Sequence, residues 1–164
     1  MDDAQSQLDA FLAKFTPEVE ALAHDLIARM RARLPGAAII VYDNYNALAI
    51  GFGPTEKASQ AVVSLAVFPR WVTLCFLQGA GLPDPGGLLR GGGSRVRHVR
   101  LHDPATLDDP AIEALIAEAV ARSEPPFDPA AGQRLVIKSI SAKQRPRRPG
   151  PGKAPAAASP APSC

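Results

Sequence analysis

The sequence predicts an α+β domain: an antiparallel sheet of about five strands with N- and C-terminal helices packed on one face. Three observations predict it. The chain opens with two apolar patterns at helical spacing. Five short β-branched or apolar stretches follow between residues 37 and 101. One more helical stripe then lies at 112–120. At 164 residues the chain reads as one domain, 1–141, followed by a basic, Pro/Ala-rich tail, 142–164, expected to be disordered from about residue 149.

The elements follow in order. Leu8, Phe11, Leu12 and Phe15 recur as one helical face. Thr16 is placed to cap the next helix, and Pro17 fits its first position. Val19, Leu22, Ala23, Leu26, Ile27, Met30 and Leu34 form the stripe of that helix. Arg29, Arg31 and Arg33 lie near its C-terminal end, where the helix dipole favours cations. Pro35-Gly36 stops it. Residues 37–43 and 47–52 read as strands of a hairpin around Asn44-Tyr45-Asn46. Residues 61–68 and 71–78 read as two more strands, joined at Pro69-Arg70. Along these two, Val63, Leu65, Val67, Val72, Leu74 and Phe76 are large, whereas Ser64, Ala66, Thr73 and Cys75 are mostly small. One face is therefore expected to pack on the helices and the other to be thinly covered or solvated. Residues 97–101 alternate, with Val99 and Leu101 inward and His98 and Arg100 outward. Asp109 is a plausible cap for the last helix, whose stripe is Ile112, Leu115, Ile116, Ala119 and Val120. Leu135, Val136, Ile137 and Ile140 suggest a final edge strand.

Between the fourth and fifth strands lies a loop, residues 79–94, holding seven of the thirteen glycines. A loop this long without secondary structure is uncommon unless it has a role. Leu82, Leu88 and Leu89 read as anchors folding it onto the body. The expected result is a recess between loop and sheet, with cations at its mouth and Trp71 as a candidate wall.

The stretch Leu74-Cys-Phe-Leu-Gln-Gly-Ala-Gly-Leu-Pro-Asp-Pro-Gly-Gly-Leu-Leu-Arg-Gly, followed by Arg97-His-Val-Arg-Leu, resembles the signature of the YdhG-like domain of unknown function. Gly79, Leu82, Asp84, Pro85, Leu88, Leu89, Gly91 and Arg97 fall on the motif positions. The likeness covers roughly residues 8–123. The segment from Ser139 to Pro149 resembles an ending found in some members. A usual Lys of the glycine segment is here Ser94-Arg95, which keeps a cation one position on. The resemblance implies a small frataxin-like α/β sandwich and, for some members, an intracellular iron-chaperone role. Iron enters on that ground alone.

Several chemistries are disfavoured by spacing. Gly79-x-Gly81 lacks a third glycine and a following helix, and Gly91-Gly-Gly-Ser94 lacks the Lys-Ser/Thr of a phosphate loop. His98 and His102 sit about 13 Å apart along a strand, too far to share one ion. Ser94 is not in a nucleophile elbow. Cys75 is expected in the core. Asp84 and Arg97 are expected to form an ion pair across the loop base. A backbone nest for an anion beside Arg90, Arg95 or Arg97 stays open.

Charge is divided unevenly. Of eighteen Lys and Arg residues, seven fall in 133–164, which has no acid, leaving eleven against sixteen acidic residues in 1–132. Such an end either docks on its own body or holds an anionic partner. No aromatic interleaves it, so base stacking is not expected.

The functional expectation is a non-enzymatic module for a small anionic ligand or a metal, using Trp71, Asp84, Arg90, Arg95 and Arg97. The alternative is an accessory nucleic-acid or anionic-partner binder using Lys138, Lys143, Arg145, Arg147 and Arg148. No apolar run approaches the ~20 residues of a membrane span. The acidic start, without a signal-like apolar region, and two cysteines make a reducing cytoplasm the expected setting.

Overall fold

The computed structural model describes residues 3–149. It is α+β, with three helices and a six-stranded sheet. Helix α1 spans Ala4–Leu12, and its first turn is capped by the Asp3 carboxylate, which accepts from the Ser6 N–H. Helix α2, Pro17–Arg33, starts as expected: Thr16 accepts from the Val19 N–H and Pro17 stands at the first position. Helix α3, Pro110–Ala121, repeats the arrangement with Asp109 and Pro110. The arginines at the end of α2 do more than complement its dipole. Arg29 and Arg33 both reach Asp108, and Arg33 also pairs with Glu113, so α2 is tied to the start of α3.

The strands are β1 (Ala38–Asp43), β2 (Leu48–Gly53), β3 (Val63–Val67), β4 (Val72–Phe76), β5 (Arg97–Leu101) and β6 (Arg134–Ile140). Their spatial order is β5-β4-β3-β2-β1-β6. Each adjacent pair among the first five is antiparallel. The α+β class and the five antiparallel strands are as expected, and the edge strand suggested at 135–140 joins them as a sixth: β6 lies parallel to β1, so the sheet is mixed. A parallel partner must return by a long crossover, and here the crossover contains α3. Register slips between Val41 and Tyr42, where Ile137 and Ser139 are the successive partners and Lys138 is skipped.

Strand parity decides what each face buries. Ile39, Val41, Leu48, Ile50, Phe52, Val63, Leu65, Val67, Val72, Leu74, Phe76 and Leu101 join the helix stripes in one core. The opposite face carries Ser64, Ala66, Thr73 and Cys75. These are buried rather than solvated, at 6, 1, 1 and 0 % exposure. Ala66 and Cys75 form a second, smaller cluster with Ala47 and Phe68, against which Trp71 and Leu77 pack.

The expected boundary at residue 141 is not where contacts with the body stop. The Ser141 N–H donates to the Asp43 carbonyl, the Arg145 N–H to the Tyr45 carbonyl, and the Gln144 side chain to the Asp43 carbonyl. Residues 142–149 therefore have defined places along the β1–β2 turn and the end of α1. The remainder of the expected tail, 150–164, lies outside the described residues. Among the described residues no helix is long and apolar enough to cross a membrane.

Candidate anion-binding loop

The loop between β4 and β5 begins with a single 3-10 turn, Gly79–Gly81. Glycine is required at its base: a Cβ on Gly79 would stand 2.6 Å from the Arg97 Cβ. The Ala80 N–H donates to the Arg95 carbonyl, closing the base, and Arg122 of α3's end donates to the Gly81 carbonyl. Leu82 is buried, and Leu88 and Leu89 are half-buried against the main core. The loop is thus packed down by its leucines.

Asp84 holds the middle of the loop, but not as an ion pair with Arg97. Its two carboxylate oxygens accept from the Leu88 and Leu89 N–H groups, each at 2.9 Å. Those bonds, led by Leu89, hold its carboxyl below the usual carboxylate range, with a smaller contribution from the Arg90 charge. Arg97 instead donates to the Gly93 and Val96 carbonyls. The physical reason is local: a six-residue turn offers its own amides before a strand residue can reach across.

Beyond the turn, Arg90 exchanges backbone hydrogen bonds with His98, so the loop lies along the free edge of β5. Gly91 follows at φ +118°, a conformation that favours glycine. The position of its missing Cβ is 3.6 Å from both the Arg97 Cδ and the His98 Nδ1. Gly92, Gly93, Ser94 and Arg95 are exposed. From 86 to 102 the chain has four arginines, two histidines and no acid. The half-buried His98 registers this field: burial first, then Arg100 and Arg90, push its imidazole below the ordinary value.

Arg90, Arg97 and Asp84 are therefore brought into one loop, with Arg95 on its exposed rim. Trp71 is placed elsewhere. It precedes β4, five residues before Phe76 and so about 16 Å along the strand from the loop base. There it packs on Phe68 at 5.9 Å between ring centroids and lies under the Arg100 guanidinium at 4.1 Å. It does not wall a recess beneath the loop. His98 was passed over as a site residue in the sequence, because its partner Arg90 comes from the loop and not from the strand.

The basic C-terminal residues divide. Lys138, Lys143, Arg145 and Arg148 are exposed. Arg145 lies over the Tyr45 ring, and the Arg148 Nε donates to the Lys14 carbonyl. Arg147 is buried at 5 %, donates to the 1 % exposed Asp43 at 2.9 Å and to the Asn44 carbonyl at 2.6 Å, and lies over Phe15. Its charge is committed to the fold. Asp43 also lies 3.7 Å from the Lys14 ammonium. Among the described residues no group of three or more His, Cys, Asp or Glu side chains is placed to hold a metal ion. The donor set that iron would require is not found there. Comparison of the chain with family models, curated proteins and solved structures finds no match.

Proposed function

We propose that the protein is a non-enzymatic binding module for a small anion, held at residues 90–98 by Arg90, Arg95, the Gly91-Gly-Gly backbone and His98. The observation that carries the reading is the acid-free run 86–102, folded so that Gly91 and two cations surround a half-buried imidazole. The Asp84 carboxylate of the same loop is turned to the Leu88 and Leu89 amides and forms no ion pair with Arg90, Arg95 or Arg97. Exposed glycine amides and guanidinium groups together suit phosphate or carboxylate oxygens. The resemblance to the YdhG-like domain belongs to the same reading and rests on the loop motif with its outgoing strand and on the Ser139–Pro149 ending. So does a cytoplasmic setting. The nucleic-acid alternative has less to stand on, since Arg147 is committed to Asp43.

The test is a proton NMR titration of His98 in buffer with and without inorganic phosphate. A bound anion raises the His98 pKa towards or beyond its ordinary value, and Arg90→Gln with Arg95→Gln removes the effect. An identical titration curve at all phosphate concentrations would overturn the proposal.

A further inference from the structure

The two edges of the sheet are finished differently. At β5 the chain's own loop closes the edge, since Arg90 exchanges backbone hydrogen bonds with His98. At β6 no described residue pairs with the outer side. The Arg134 and Ser141 amides donate inward, to the Ala37 and Asp43 carbonyls. Backbone groups alternate in direction along a strand, so those of Leu135 and Ile137 face away from β1. This strand is also the least buried of the six. Residues 134–137 are half-buried and residues 138–140 are exposed, Ile140 at 54 %. By contrast β1 to β4 are buried almost throughout.

Beside this edge lies a cleft of about 420 Å³ lined by Pro54, Thr55, Glu56, Lys57, Arg134 and Lys138. Three cations meet one carboxylate there. Arg134 stands 3.7 Å from Glu56, a half-exposed pair of small worth, and donates to the Pro54 carbonyl. Lys57 and Lys138 are exposed, and among the described residues neither has an ion-pair partner. Lys138 is also the residue that the register with β1 skips. A bulge and a lysine on an edge strand keep like edges apart. A second copy adds its own Arg134 and Lys138 to the same seam, whereas an acidic strand meets no such repulsion. Seven residues of β6 offer about 23 Å of edge, along which an added strand turns every second side chain to the cleft. The cleft holds no aromatic side chain, so it gives stacked bases no platform.

We propose that the β6 edge is a docking site for an acidic extended peptide of a protein partner, added as a seventh strand, with carboxylate side chains at alternate positions over Lys57, Arg134 and Lys138. The intervening positions lie beside Leu135, Ile137 and Ile140 and take apolar side chains. The site is separate from the loop at residues 90–98, which stands at the opposite edge of the sheet.

The experiment titrates the full chain with a capped synthetic peptide, Glu-Val-Glu-Val-Glu-Val, and follows hydrogen exchange at the Leu135 and Ile137 amides. At saturation both are expected to slow at least about tenfold. Unchanged exchange at about 1 mM peptide overturns the proposal. The block peptide Glu-Glu-Glu-Val-Val-Val carries the same charge without the strand period and is expected to bind at least about tenfold more weakly. Equal binding of the two overturns the proposal. An analogue N-methylated throughout keeps every carboxylate and loses every amide hydrogen; it is expected to leave both amides unprotected, and protection by it overturns strand addition. Lys57→Glu with Lys138→Glu alters two exposed side chains and is expected to weaken the alternating peptide at least about tenfold, with the melting temperature unmoved. Retained affinity in that variant overturns the proposal. So does displacement of the peptide by single-stranded RNA, which assigns the cleft to nucleic acid. Protection of the same two amides by rising protein concentration alone assigns the edge to a second copy and overturns it too.

Discussion

Two segments of this molecule are each organised by a single charged side chain, and they use it in opposite ways. In the 79–96 loop Asp84 faces its own turn and collects two backbone amides four and five residues ahead. In the 141–149 segment Arg147 reaches 104 residues back to Asp43 and is buried with it. The first arrangement is local and half-exposed, so it shapes one loop. The second joins the end of the described chain to the end of β1, so it belongs to the global fold. A charge anchoring nearby amides sets a shape; a charge buried against a distant partner sets whether the parts stay together.

The largest effect is expected at the buried pair. Arg147→Ala or Asp43→Ala strands the other charge in the interior and should cost about 3–5 kcal/mol in chemical denaturation. Asp43→Leu with Arg147→Met should recover most of that loss. If both single variants unfold like the wild type, the pair is ornamental and the contrast fails. Next in size is Leu82→Ala, which removes a loop anchor from the main core and is expected to cost about 2–4 kcal/mol. A loss comparable to that of Arg147→Ala would blur the distinction between a local and a global anchor.

Asp84→Asn should act on the loop alone. Amide exchange at Leu88 and Leu89 is expected to rise roughly tenfold while the denaturation midpoint stays put. The same bond has a pH signature. Because the folded carboxyl titrates below its unfolded value, its contribution is complete above about pH 4 and is lost as pH falls through the lowered folded value. His98 has the same sign for a different reason: with its imidazole pushed down, stability is full above about pH 6.5 and declines as pH falls through the folded value. The smallest effect is expected from Arg145→Gln, where an exposed guanidinium leaves the Tyr45 ring at a cost of about 0.5 kcal/mol.

Much of the fold was legible because period and punctuation agree. Thr16-Pro17 and Asp109-Pro110 mark helix starts by chemistry that works within four residues, and both marks hold. The large and small parities of β3 and β4 identify the two faces. The pairing of β6 with β1 was not legible, since a short apolar strand carries no record of its neighbour. The anchors were harder still. Asp84 looked like half of an ion pair because the turn amides that capture it carry no side-chain signal. Arg147 looked like a phosphate ligand because it sits among other arginines. Its partner did leave a trace: Asp43 shares the parity of Ile39 and Val41, which places a carboxylate on the core face, where a cation must meet it.

The parallel seam between β1 and β6 has a temporal consequence. Residues 38–43 are made early, but the strand that closes their outer edge comes some ninety residues later. A nascent chain halted before Arg134 presents the row Ala-Ile-Ile-Val-Tyr-Asp with its amides and carbonyls bare on one side. Such an edge recruits other extended chains. Ribosome-stalled or prematurely terminated products ending before residue 134 should therefore be the aggregating species, and the emergence of β6 the moment at which the protein becomes safe from its own kind.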